Sequence, residues 1–150
     1  MQYYSYEMFR EDMKELIEKM DFNPDGIVAI SRGGLTMAHF LGIALDLRKV
    51  YTINASSFFN KIQEELQVSN IPELSGNQRI LIVDEIIDSG TSMDKILSIL
   101  KSINPNIEFK TACIYHKNTA THNPDYMLRE TKEWIEFFWE VDVIRRLEEK

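Results

Sequence analysis

The sequence predicts an α/β fold, a mostly parallel sheet flanked by helices. Two short apolar runs, residues 26–30 (GIVAI) and 80–83 (ILIV), are bounded by turn residues and are too short for helices; such runs read as buried strands. Each is followed by a stretch with helical character, and strands alternating with helices build βαβ units with right-handed crossovers. Ligands of such sheets sit beyond the carboxyl ends of the strands. The two most unusual segments, residues 31–34 (SRGG) and 84–92 (DEIIDSGTS), each follow a strand and so belong at that edge.

The elements follow in order. Tyr6, Phe9, Met13, Leu16, Ile17 and Met20 recur at three- and four-residue spacings, an amphipathic helix over 6–20 with Ser5 as N-cap and Pro24 beyond its end. After the strand at 26–30, residues 35–46 are apolar on nearly every side, as in a helix packed on a sheet. Residues 50–53 form a further strand candidate, and 55–78 are mostly polar with only a weak helical period. The β-branched run 80–83 is the strongest strand. Met93, Ile96, Leu97, Leu100 and Ile103 share the face of the next helix. Residues 109–115 and 126–128 are further strands, and 141–150 (VDVIRRLEEK) read as a charged helix.

Composition narrows the function. A chain of 150 residues suits one domain, 1–150, and neither a repeat nor a Pro/Gly-rich linker divides it. Seventeen Lys and Arg against 24 Asp and Glu leave a net charge of −7, which argues against a nucleic-acid partner, since such binding rests on basic residues neutralising phosphates. No apolar run reaches the roughly 18–20 residues of a membrane span. The N-terminus has neither the basic nor the apolar region of a secretory signal. Cys113 is the single cysteine, so an intrachain disulfide is impossible and a reducing cytoplasm fits. His39, His116 and His122 form no metal-spaced set and read as structural or solvated.

The chemistry concentrates at 84–92. Asp84, Glu85 and Asp88 place three carboxyls within five positions, costly unless a cation or basic ligand group joins them. Ser89, Gly90, Thr91 and Ser92 then open a helix, where free N–H groups and hydroxyls make an anion site. The plainer alternative is that polar residues end the strand while Thr91 and Asp94 cap the helix. Neither GxxxxGK[ST] nor GxGxxG occurs, so P-loop and dinucleotide motifs are absent.

This segment, VDEIIDSGTSM, resembles the phosphoribosyl-diphosphate (PRPP) motif of type I phosphoribosyltransferases: a hydrophobic strand, two acids, two apolar residues, an acid, then Thr/Ser–Gly–x–Thr/Ser. The resemblance implies that family's fold, with a small hood and a flexible loop. It assigns Asp84 and Glu85 to the ribose hydroxyls, directly or through Mg2+, and Asp88 to the purine proton. The 5′-phosphate falls to Ser89, Gly90, Thr91 and Ser92. Ser31, Arg32, Gly33 and Gly34 are similar to the pyrophosphate loop of bacterial xanthine–guanine enzymes; glycines admit close backbone approach and Arg pairs bidentately with phosphate.

Two stretches point to the base. Lys117 stands where 6-oxopurine enzymes carry a Lys on purine O6, though a Lys ending a strand is often merely solvated. Residues 134–140 (WIEFFWE) resemble the xanthine–guanine purine pocket, which implies Trp134 stacking on the base and the Ile135 backbone accepting from an exocyclic amine; Phe137 and Phe138 read as core. Ser56-Ser57-Phe58 resembles the start of the catalytic loop that closes over PRPP.

The resemblance therefore implies a purine-salvage transferase, using PRPP and a 6-oxopurine with Mg2+, in a homo-oligomer. Alternatives are transfer to another nucleobase, a non-catalytic PRPP or nucleotide sensor, and a PRPP-dependent hydrolase or synthase.

Overall fold

The computed structural model describes residues 1–59 and 64–145. Its elements are β1 (Gln2–Tyr4), α1 (Tyr6–Lys19), β2 (Gly26–Ser31), α2 (Leu35–Ala44), β3 (Val50–Phe59), β4 (Glu64–Ser69), β5 (Arg79–Ile87), α3 (Thr91–Ile103), β6 (Glu108–His116), β7 (Tyr126–Glu130), β8 (Ile135–Phe137) and α4 (Phe138–Val141). Six strands form one sheet in the order β4-β3-β2-β5-β6-β7. All neighbours are parallel except β3 and β4.

The strand order reverses direction between β2 and β5. From β2 the chain crosses outward to β3, and from β5 it crosses the other way to β6. At such a switch point the connections leave on opposite faces and open a crevice at the carboxyl edge. Alternate side chains prove the two faces. Ile27, Ala29, Leu81 and Val83 join α1 and α2 in one core; Val28, Ile30, Ile80 and Ile82 join α3 in the other. Burying continuous apolar runs on both faces is what a central parallel strand requires.

The N-cap of α1 is Ser5, whose hydroxyl accepts from Met8 N–H at 3.1 Å. From that helix the buried Asp12 takes two hydrogen bonds from Arg129 of β7, at 2.8 and 3.1 Å, and one from Tyr4 of β1 at 2.7 Å. Burial, then the bond to Asp12, pushes the Tyr4 hydroxyl far above its ordinary pKa. β1 pairs in parallel with β8 as a separate two-stranded sheet, the hood expected from the resemblance. Tyr4, Phe137 and Trp139 pack there edge-on or stacked, and Phe137 and Phe138 both join the core side.

Four expectations change. β5 runs through Asp84 and Glu85 to Ile87, so these acids lie within the strand rather than after it. The polar segment beyond residue 55 contains an antiparallel β3–β4 hairpin, Asn54↔Ser69 to Phe59↔Glu64, while its residues 60–63 lie outside the described residues. Gly90, with no side-chain bond, caps α3 in place of the Thr91/Asp94 pair. The charged helix read at 141–150 is not formed over 142–145: α4 stops at Val141, and 146–150 lie outside the described residues.

Candidate functional site

The loop of residues 31–34 leaves β2 beside the end of β5, and the contact is at backbone distance. A side chain on Gly34 would put its Cβ 2.4 Å from the Val83 carbonyl oxygen; one on Gly33 would fall 1.4 Å from Glu85 Oε2. At position 34 the neighbour is backbone, so glycine there lets the loop lie on the acidic strand end. Gly34 N–H bonds the Ile30 carbonyl at 2.8 Å, folding the loop into α2, while Arg32 stays exposed.

Asp84 and Glu85 are half-buried, and the Glu85 N–H donates to Asp84 Oδ1 at 2.9 Å. Burial raises both carboxyls. Asp84 is lifted well above the usual carboxylate range, with the Glu85 charge adding to the effect; Glu85 is pushed up to about 7, with Glu140 adding. Two hard oxygen donors that resist ionising together are stabilised by a divalent cation. No group of three or more His, Cys, Asp or Glu among the described residues could hold a metal ion. As two hard oxygen donors the pair is chemically compatible with Mg2+, which can bind through one or two carboxylates and complete its shell with water and substrate oxygens.

Asp88 lies beyond the strand with its side chain 71% exposed, and Lys117 reaches it at 2.9 Å. Lys117 follows β6, the neighbour of β5, and its N–H bonds the Ile87 carbonyl at 3.0 Å. Ser89, Gly90 and Ser92 line a small cavity of about 90 Å3 together with Asp84 and Asp88. Gly90 has φ +88° there, a conformation that favours glycine. A hollow of about 280 Å3 separates Ser89, Thr91 and Ser92 from Ser57 and Leu66 of the hairpin, and Lys95 of α3 holds the Leu66 carbonyl at 3.0 Å. On the other side, a cavity of about 560 Å3 opens among Arg32, Gly33, Thr36, Trp139, Glu140 and Arg145.

A profile of the phosphoribosyl transferase domain matches residues 5–145. The chain belongs to the phosphoribosyl transferase family. As a phosphoribosyltransferase it is a pentosyltransferase, and the parallel sheet with flanking helices is that family's fold. It is 32% identical to a xanthine-guanine phosphoribosyltransferase of Cereibacter sphaeroides over 91% of this chain and 85% of that one. Among solved structures it is similar to the Helicobacter pylori xanthine-guanine-hypoxanthine phosphoribosyltransferase, at TM-score 0.89 and 41% identity, covering 94% of each chain. A purine phosphoribosyltransferase from Pyrococcus horikoshii is similar at TM-score 0.83 and 28% identity, over 96% and 97%.

Within this phosphoribosyltransferase, Arg32, Gly33, Glu85, Asp84, Asp88, residues 89–92 and Lys117 converge on the carboxyl edge. Ile135 is buried in β8, whereas Trp134 is 73% exposed and its carbonyl accepts from Gln2 N–H at 3.0 Å. Trp139, not Trp134, lines the cavity beside Arg32. His116, read from the sequence as structural or solvated, is buried with Nε2 on the His122 carbonyl at 3.1 Å. Cys113 is buried, and burial pushes its thiol up to about 12, which disfavours the reactive thiolate. Sequence reasoning missed Asp94, Thr121 and His122, which meet behind Ser89 and Gly90. They lie 27 and 28 positions apart and carry no spacing signal. No helix of the described residues is long and apolar enough to cross a membrane.

Proposed function

We propose that this chain transfers the 5-phosphoribosyl group of PRPP to a 6-oxopurine (guanine, xanthine or hypoxanthine), releasing diphosphate in purine salvage. The observation that carries this reading is the 2.9 Å contact of Lys117 with Asp88 beside the anion cradle. One contact joins a cation suited to purine O6 with a carboxylate suited to the purine proton. The names of the 32% and 41% identical relatives support the same substrate class.

In this mechanism the bond from the purine nitrogen to C1′ forms as the bond from C1′ to the diphosphate oxygen breaks. The ribose gains cationic character, and Asp84 and Glu85 stabilise it where it develops, favouring the transition state over the ground state. Ser31, Arg32, Gly33 and Gly34 take the diphosphate; Ser89, Gly90, Thr91 and Ser92 hold the 5′-phosphate through N–H groups and hydroxyls. Asp88 accepts the purine proton while Lys117 polarises O6. The exposed indole of Trp134 stacks on the base, with Ile135 supplying a backbone carbonyl. Mg2+ held at Asp84 and Glu85 supplies positive charge that offsets the phosphates of PRPP.

Residues 1–150 act as one domain in this reading, in a reducing cytoplasm that suits the buried thiol of Cys113, and as a homo-oligomer. The test is diphosphate release from PRPP and Mg2+ with guanine, xanthine, hypoxanthine, adenine, uracil and orotate in turn. Turnover with the 6-oxopurines alone is expected. Turnover with another base reassigns the acceptor, and no release with any base replaces the transferase reading with a sensor.

A further inference from the structure

The cradle at residues 89–92 is held from behind by the connection between β6 and β7. Thr121 N–H donates to the Ser89 carbonyl at 2.8 Å. Thr121 Oγ1 lies 3.1 Å from that carbonyl and 2.8 Å from Asp94 Oδ2; its one proton serves a single acceptor at a time, and the carboxylate is the stronger. His122 Nδ1 stands 2.8 Å from Asp94 Oδ1, and Nε2 stands 2.9 Å from Thr111 Oγ1 on β6. A carboxylate only accepts, so Nδ1 donates. The residue is 9% exposed. A Cβ on Gly90 would lie 2.6 Å from His122 N and 2.9 Å from Thr121 Oγ1, so loop and cradle meet at backbone distance.

We propose that His122 is a positioning residue for the 5′-phosphate site, acting through Asp94 and Thr121. Two effects combine. A trans peptide sets its carbonyl and N–H in opposite directions, so holding the Ser89 carbonyl at Thr121 commits the Gly90 N–H to the side away from Thr121, that of the small cavity. A donor aimed in advance needs no reorganisation when the anion arrives. Second, both oxygens of Asp94 are occupied by His122 and Thr121. This carboxylate, in the first turn of α3, is thereby kept from competing with phosphate for the free N–H donors of the helix.

The inference rests on the transferase reading only for the identity of the anion, so its test is binding. Calorimetry with ribose 5-phosphate is applied to the full chain and to His122→Ala, His122→Gln and His122→Asn, with melting temperatures in parallel. An Asn amide nitrogen stands near the Nδ1 position and keeps the tie to Asp94; a Gln amide stands near Nε2 and keeps only Thr111. Ala and Gln are expected to weaken binding about tenfold, the size of one lost hydrogen bond to a charged group, and Asn is expected to stay within about threefold. A merely structural role would lower all three melting temperatures and leave the affinity of the folded fraction unchanged. That result overturns the proposal, as would an original chain that does not bind ribose 5-phosphate. Should His122→Ala not fold, Asp94→Asn and Thr121→Val replace it, each expected to weaken binding several-fold; unchanged affinity in both overturns the clamp. If the affinities follow the expected order while no base is turned over, the clamp stands and the transferase reading falls.

Discussion

Glu85 and Asp88 stand three positions apart in very different settings, and each yields a different measurement. Burial, with the charge of Glu140 added, lifts Glu85 from 4.5 to about 7. Between those values the folded protein holds a proton that the unfolded chain has released. Its contribution to stability is therefore complete below about 4.5 and is lost as pH rises through about 7. Glu85→Gln should flatten this slope and gain roughly 2–3 kcal/mol over the original chain at pH 8, at about 1.4 kcal/mol for each pKa unit. Urea unfolding at pH 5 and pH 8 reads the difference, while diphosphate release should fall sharply in the same variant. Equal slopes for both proteins would remove the buried-acid account. Asp88 is exposed and paired with Lys117. For Asp88→Asn we expect turnover to drop about 10²–10⁴-fold with PRPP affinity kept, the range for a general acid–base group; near-normal turnover would take Asp88 out of the mechanism.

At the scale of elements, the two glycines between β2 and α2 separate fold from function. The Cβ of Gly34→Ala would meet the Val83 carbonyl, part of β5 itself, at 2.4 Å. Backbone cannot step aside cheaply, so this variant should lose stability by about 1–3 kcal/mol, as overpacking does. The atoms nearest the Cβ of Gly33→Ala all belong to the carboxyl end of Glu85, which can swing away. Gly33→Ala should keep a melting temperature close to the original and lose PRPP and Mg2+ affinity; a large drop in melting temperature instead would show that Glu85 is locked in place. The SRGG segment stood out in the sequence only beside the 84–92 motif, since a Gly-rich turn with one solvated Arg is ordinary by itself, whereas β2, β5, α1 and α3 were legible because strong one-face or two-face burial imprints its period on the residues. The hairpin was not. Its described positions on β4 alternate between half-buried and exposed, with Glu65, Gln67 and Ser69 outward, so half a strand pattern reads as a polar loop. β1 and β8 have three residues each and exist only by pairing Gln2 with Ile135, a contact across nearly the whole chain that local periodicity cannot register. The cluster of Asp94, Thr121 and His122 was hidden for the same reason.

For the molecule as a whole, the net charge of −7 is no barrier to a phosphorylated substrate. Residues 1–21 hold six acids against three bases and 129–150 seven against five, so five of the seven excess charges belong to the two terminal stretches of the sequence, and in the proposed mechanism uncharged N–H groups and Arg32 take the phosphates. A helix apolar on every side is normally buried, yet the sheet covers only the side of α2 carrying Met37, Ala38 and Leu41. On the outer side Leu35, Phe40 and Ile43 face solvent, Ile43 at 73% exposure. This ridge runs between two shallow grooves, one lined by Met13, Ile17 and Phe40, the other by Leu35, Leu47 and Val50. In the proposed homo-oligomer this ridge would pack into the groove of a second copy across a two-fold axis, the geometry by which helices pack ridge into groove. Light scattering on the eluting protein should therefore give a multiple of the 17.6 kDa chain mass, and Ile43→Glu, which places a charge where an apolar side chain would be desolvated, should shift it toward the monomer while leaving the melt of each chain cooperative. A monomer in the original protein, or an unchanged mass in Ile43→Glu, would mean that α2 is not the face through which copies associate.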